Sequence, residues 1–178
     1  MVKYFVTQKC DINLVDKDNI TAVMEAAMFG SKPIVEYLVQ RGADADARAS
    51  TQVSPLWLAA AEGHTEVVRY LLTKKVDANN RRMDNITALM AASSGGHLHI
   101  VKALLRAGAM PNLRDKDGLS ALIGAAENGS APVVQLLLNH KAEVNVLSDT
   151  FYSPLLVSSA GGHLEVAQLL LEHGAEID

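Results

Sequence analysis

Residues 54–77 read SPLWLAAAEGHTEVVRYLLTKKVD, and variants of this stretch recur along the chain at a fixed interval of 33 residues. The other copies begin at Thr21, Thr87, Ser120 and Ser153, with no insertion between them. A constant period of this length is typical of stacked-repeat architectures, in which each unit contacts only its neighbours. The sequence therefore predicts an elongated array and not an ordinary globular domain.

Each copy has the pattern of two short helices. A Ser or Thr precedes the first apolar segment and is a good N-cap, and Pro55 and Pro154 occupy the first helical position. A glycine such as Gly63 then ends the first helix, and Val67 and Leu71 begin the apolar face of the second. Helices of about three turns are marginal alone in water, so stacking must stabilise them.

The second helices end in two different ways. Glycines at the cap position suit a left-handed backbone, and they are Gly42, Gly108 and Gly174. Lys75 and Lys141 hold the same position in the other two copies. If the left-handed conformation is kept, each lysine costs about 1 kcal/mol, which makes these repeats locally weaker.

The segments T/S-P/A-L-x-x-A-A, G-H-x-E-V-V and L-L-x-x-G-A-D, repeated every 33 residues, resemble the ankyrin repeat over nearly the whole chain. The resemblance implies an all-α solenoid of stacked antiparallel helix pairs with projecting β-hairpin loops. It also implies a concave binding face built from hairpin tips and first helices. It does not identify a partner, because one fold serves many functions.

We expect residues 1–178 to form a single array. Its units are a partial repeat at 1–15, full repeats at 16–48, 49–81, 82–114 and 115–147, and a nearly complete last repeat at 148–178. Solenoids usually carry polar capping repeats, and neither end has one, so we expect either a longer array in the parent protein or neighbouring repeats that are disordered.

Composition excludes several classes of function. The net charge of −4 argues against nucleic acid as a partner. A single cysteine, Cys10, excludes an internal disulfide and indicates a reducing, intracellular location, cytoplasmic or nuclear. No uncharged apolar stretch is long enough to enter a membrane as a spanning helix, and no signal peptide is apparent.

The sequence contains no catalytic pattern. His64, His97 and His163 follow the glycine that ends the first helix in three of the five copies, where the resemblance implies hydrogen bonds between neighbouring repeats. One cysteine cannot form a zinc site of the Cys/His type, and no serine lies in a nucleophile elbow. We therefore expect no enzyme activity, no metal and no cofactor.

A basic column marks the last position of three successive repeats, at Arg48, Arg81 and Arg114. Guanidinium groups bind carboxylates in a bidentate manner, so an acidic peptide could lie along them. The alternative is local pairing, of Arg81 with Asp84 and of Arg114 with Asp117. Arg48 has no acidic residue at the equivalent position.

An apolar column occupies one position of every first helix, at Met24, Trp57, Met90, Ile123 and Leu156. Together with Met28, Phe29 and Met83 it predicts a methionine- and aromatic-rich patch over repeats one to three, with Phe29, Trp57 and Met90 as anchors. The alternative is that the column packs between repeats. Phe151 and Tyr152 on the fifth connector indicate a second contact or cover for a further repeat.

Three asparagines occupy a position that the resemblance implies is modified by asparaginyl hydroxylases, and they are Asn79, Asn112 and Asn145. The alternative is that asparagine is simply a good turn residue there.

The sequence thus predicts a non-enzymatic protein-interaction module that binds a peptide or protein surface in the concave groove of repeats one to four. The expected partner is acidic with apolar anchors, and the chain is monomeric or associates weakly end to end. One alternative is a targeting or regulatory arm of a larger multidomain enzyme or membrane protein. Another is a self-associating structural spacer.

Overall fold

A computed structural model describes residues 11–177, and in this part of the chain ten α-helices form five consecutive pairs. The first helices of repeats one to five are α1 (Ala22–Met28), α3 (Pro55–Ala61), α5 (Ala88–Ser94), α7 (Ala121–Asn128) and α9 (Pro154–Ala160). The second helices are α2 (Lys32–Gln40), α4 (Thr65–Thr73), α6 (Leu98–Arg106), α8 (Ala131–Asn139) and α10 (Leu164–Glu172). The all-α solenoid is confirmed, whereas most of the partial repeat at 1–15 lies outside the described residues.

The first helices begin where the N-cap pattern predicts. The Ser54 hydroxyl accepts a hydrogen bond from the Trp57 N–H at 3.1 Å, and Thr87 accepts from Met90 at 3.2 Å. Each bond satisfies a backbone donor that the first helical turn would otherwise leave free.

Most of the core is one apolar layer between successive helix pairs, and a smaller cluster surrounds Met24. First helices contact first helices and second helices contact second helices along the array. Fully buried leucines recur at the repeat period in the second helices, as at Leu71, Leu104 and Leu137. Alanines such as Ala59 and Ala92, both 0% exposed, allow the first helices to approach closely. Each repeat therefore completes the core of its neighbour.

The connectors are tighter than full β-hairpins. Within residues 11–177 they contain isolated antiparallel bridges, such as Arg81 with Thr87, and no extended strand. Aspartates close the turns: the Asp115 carboxylate accepts hydrogen bonds from the N–H groups of Asp117 (2.9 Å) and Leu119 (2.8 Å). This local turn leaves each connector compact beside the first helices.

The unusual C-terminal caps are confirmed. Lys75 and Lys141 have φ angles of 59° and 63°, in the left-handed region that Gly42, at 98°, adopts in the equivalent position. The backbone path is therefore kept even where a side chain makes it unfavourable.

Histidines join neighbouring repeats as the resemblance implies. The ring Nε2 of His64 hydrogen-bonds the Met28 carbonyl at 2.8 Å, and that of His163 bonds the Glu127 carbonyl at 3.0 Å. These rings therefore connect the end of one first helix to the next repeat.

Candidate binding groove

The apolar column of the first helices is mostly packed between repeats. Met24 and Ile123 are 0% and 1% exposed, and Met90 is 6% exposed. Met24 lies against Ala49 and Val53 of the following connector, which encloses it. The prediction of Met90 as an exposed anchor is therefore wrong, because the close stacking of first helices covers its side chain.

Trp57 is half-buried and has a cation over its ring. The Arg82 guanidinium carbon lies 4.6 Å from the centre of the indole, and Arg82 also pairs with Asp84 at 3.2 Å. The indole Nε1 is buried without a hydrogen-bond partner. Arg82 thus covers one face of the Trp57 indole. A ligand could reach this side chain only where it lines the central cavity.

Two other predicted apolar residues are exposed. Phe29 caps α1 and Met83 lies on the third connector, and each is 72% exposed. Met28 is half-buried. Neither Phe29 nor Met83 lines the cavities described below.

The basic column does not present three free guanidinium groups. Arg48 has no acidic residue three positions later, but it binds both carboxylate oxygens of Asp46, two positions earlier, at 3.1 and 3.2 Å. Arg114 donates from Nε to the Gly118 carbonyl at 3.0 Å and from a terminal nitrogen to the Leu147 carbonyl.

The predicted local ion pairs of this column are also different from those observed. In the described part of the chain, Asp84 pairs with Arg82 and not with Arg81, and Arg114 bonds carbonyls and not Asp117. Arg81 remains exposed. The turn geometry, which sequence spacing does not give, decides these partners.

Two adjoining cavities lie where the connectors meet the first helices. The larger, which we call the distal cavity, has a volume of about 550 Å³ between repeats four and five. Its wall includes Leu119, Tyr152, Leu156 and Val157, together with the acidic residues Asp117 and Glu127. Tyr152 and Leu156 are 50% and 49% exposed, so the cavity presents apolar surface to solvent.

The smaller, central cavity has a volume of about 240 Å³ and extends from Trp57 toward repeat four. Ile86 and Met90 form part of its apolar wall. Leu119 and Glu127 line both cavities, so the two adjoin each other and together span repeats two to five. Together they form the candidate groove.

Sequence reasoning missed Glu127, Leu119 and Val157. The signal for Glu127 was present, because the equivalent positions hold the uncharged residues Met28, Ala61, Ser94 and Ala160. Because the other four repeats fold with an uncharged residue at this position, the charge of Glu127 is not needed for the fold.

The three asparagines that the resemblance marks for hydroxylation act as clamps between repeats. Asn79 donates from Nδ2 to the Gly108 carbonyl at 3.1 Å and accepts from the Met110 N–H at 2.8 Å. Asn112 and Asn145 make the same pair of bonds to the following repeat, as does Asn13. Their hydroxylation stays a prediction.

Asp46 interrupts this asparagine column. Its carboxylate binds Arg48 and accepts from the Asn80 amide at 3.0 Å. Partial burial raises the pKa of Asp46 above its ordinary value of 3.8, with Arg48 lowering the pKa and the nearby carboxylates Asp44 and Asp77 raising it further. The interface between repeats one and two therefore has a different clamp.

A family model described as ankyrin repeats matches in three copies, over residues 1–84 and 89–178. A search of curated proteins found no match. Within residues 11–177, no helix is both long and apolar enough to cross a membrane, and no group of three or more His, Cys, Asp or Glu side chains could hold a metal ion.

Proposed function

The chain belongs to the ankyrin-repeat family, and we propose that it binds an extended peptide or protein segment in the groove formed by its connectors and first helices. Ankyrin-repeat domains are typically non-catalytic protein-interaction modules. We further propose that the chain itself is not an enzyme. We also propose that it acts inside the cell, since a single cysteine is typical of proteins from a reducing compartment.

One observation carries this proposal: the distal and central cavities share Leu119 and Glu127 and so lie side by side along the first helices of repeats two to five. Binding sites are usually concave, mostly apolar and provided with a few polar groups that fix orientation. The distal cavity has this character, since Tyr152, Leu156 and Val157 surround two carboxylates.

The proposed groove lies further along the array than the sequence indicated. Trp57 marks one end and Tyr152 the other, so repeats two to five contribute instead of one to four. Trp57 and Tyr152 remain proposed contact residues, whereas Met90 contributes only to the cavity wall. Phe29, Met28 and Met83 would require a ligand that extends beyond the groove.

The test uses peptides selected from a randomised display library on the wild-type chain. Affinity of the selected peptides is then measured for Tyr152→Ala/Leu156→Ser, which removes apolar wall from the distal cavity. Burial of two such side chains contributes several kcal/mol at most, so we expect affinity to fall by about tenfold or more.

Leu164→Ser is the matched control, because Leu164 is 70% exposed on α10 and lines neither cavity. Peptides that bind the groove variant and the wild type equally would refute the proposal, as would a selection that enriches nothing. Circular dichroism checks that the helical content of both variants is kept.

A further inference from the structure

The groove carries negative charge that no described cation neutralises. Asp117 and Glu127 line the distal cavity, and Asp115 and Glu127 line the central one. None of the ion pairs within residues 11–177 includes any of these three carboxylates. Glu127 is exposed and is the one acidic residue common to both cavities.

The basic residues near the groove are already engaged or do not line it. Arg114 bonds the Gly118 and Leu147 carbonyls, and Arg82 pairs with Asp84 while covering Trp57. Lys116, on the same connector as Asp115, and Arg81 are both exposed, but neither lines a cavity. The groove therefore offers a ligand carboxylates and apolar surface, and not the free arginines that an acidic peptide would need.

The spacing of stacked repeats restricts the ligand further. Neighbouring stacked helices lie roughly 8–10 Å apart. A polyproline II backbone rises about 3.1 Å per residue with three residues per turn, so its positions i and i+3 face the same side about 9 Å apart. Two apolar side chains three residues apart thus match consecutive cavities, and the residues between them pass the shared Glu127.

We propose that the ligand of this groove is an extended cationic segment in which two apolar residues are separated by two positions, at least one of them Lys or Arg. The inference rests on the proposed function and specifies the partner of the same site. Opposite charges across an interface favour association and exclude like-charged competitors. This replaces the acidic partner that the column of Arg48, Arg81 and Arg114 suggested.

The test compares display selections on three proteins: the wild type, Asp117→Lys/Glu127→Lys, and Glu143→Lys/Glu172→Lys as the control. Glu143 and Glu172 are exposed and line neither cavity, so the control has the same change in net charge. We expect wild-type and control selections to enrich Lys or Arg between two apolar residues. The groove variant is expected to enrich Asp or Glu there.

Synthetic peptides from the wild-type selection give the quantitative measurement. Their affinity is expected to fall about tenfold or more for Asp117→Lys/Glu127→Lys at low salt, since two attractions become repulsions, and to change less than about twofold for the control. High salt should reduce the difference by screening. If the double variant does not fold, Glu127→Gln should lower the affinity about two- to fivefold, as expected for one partly exposed ion pair.

The outcomes separate the two proposals. Selected peptides that lose affinity for Tyr152→Ala/Leu156→Ser but show no cationic preference would overturn this inference and leave the groove standing. An acidic preference in the wild-type selection would also overturn it. A failure to select any peptide, or binding that ignores both groove variants, would overturn the groove and this inference together.

Discussion

Replacing Asp46 with asparagine is expected to stabilise the interface between repeats one and two. Asn79 and its equivalents each donate to a carbonyl and accept from an N–H in the next repeat, at distances such as 3.1 and 2.8 Å. Aspartate cannot donate, and the Asp46 side chain is committed to Arg48 and Asn80. Asp46→Asn would supply the missing donor toward the equivalent carbonyl, that of Lys75.

The magnitude follows from the bonds gained and lost. Two intramolecular hydrogen bonds contribute about 1 kcal/mol each. The variant loses the hydrogen bond from Asn80, worth about 1 kcal/mol. It also loses the ion pair between Arg48 and Asp46, whose side chains are 25% and 37% exposed, and a pair of this exposure contributes about 0–1 kcal/mol. The net gain in unfolding free energy is therefore up to about 1 kcal/mol, which corresponds to roughly 2–4 °C in Tm for a chain of this size.

The effect should depend on pH in a defined direction. Because the pKa of Asp46 is raised in the folded chain, its carboxylate opposes folding at neutral pH. Lowering the pH through the raised pKa toward the ordinary value of 3.8 protonates Asp46 and removes that penalty from the wild type. The advantage of Asp46→Asn should thus be largest at neutral pH and shrink in acid.

Urea denaturation at neutral and acidic pH measures both quantities, and hydrogen exchange locates the change at repeats one and two. Asn79→Asp is the mirror control: it introduces a carboxylate in the equivalent clamp one repeat pair away and should destabilise the chain by about 1–2 kcal/mol. A neutral-pH midpoint for Asp46→Asn at or below that of the wild type would refute the reasoning. So would a gain that grows as the pH falls.

Two further predictions concern local backbone and core polarity. Lys75→Gly and Lys141→Gly should each stabilise the chain by about 0.5–1 kcal/mol in urea denaturation, since glycine relieves the left-handed strain at φ 59° and 63°; an unchanged midpoint in both would contradict this. Ser93→Ala should be stabilising by about 1 kcal/mol, because the Ser93 hydroxyl is 0% exposed and has no hydrogen-bond partner. Ser158→Ala is the control, as this equally buried hydroxyl donates to the Leu155 carbonyl at 3.0 Å, and a larger gain there than at Ser93 would refute the explanation.

The fold could be predicted almost completely from the sequence because its signals repeat. Thr87 and its equivalents cap helices, and His64 and its equivalents bond the preceding repeat. A residue that recurs every 33 positions experiences the same environment each time, so five weak local signals reinforce one another. The left-handed backbone at Lys75 and Lys141 could be predicted in the same way, because the equivalent position in the other repeats is a glycine.

The site could be predicted only in part, because burial and pairing depend on distances that spacing does not give. Met90 and Leu156 share one column, yet one is 6% exposed and the other 49%. Arg48 pairs with Asp46, two residues before it, although the sequence pattern indicates only a turn residue at that position. The conformation of the turn and the packing of the neighbouring repeat together determine which side chains are buried and which are paired.

The charge of the groove could be recognised only by combining the sequence with the structure. Glu127 departs from an otherwise uncharged column, which marks it as unnecessary for stacking. Only the structure adds that its side chain lies at the junction of two apolar cavities. Gly124 beside it permits close approach, since a Cβ there would lie 2.2 Å from the Ser94 hydroxyl. Gly124 and Glu127, one turn of α7 apart, both line the central cavity. The glycine is needed for the close packing of α7 against α5, whereas the charge of Glu127 is not needed for stacking and is therefore free to serve binding.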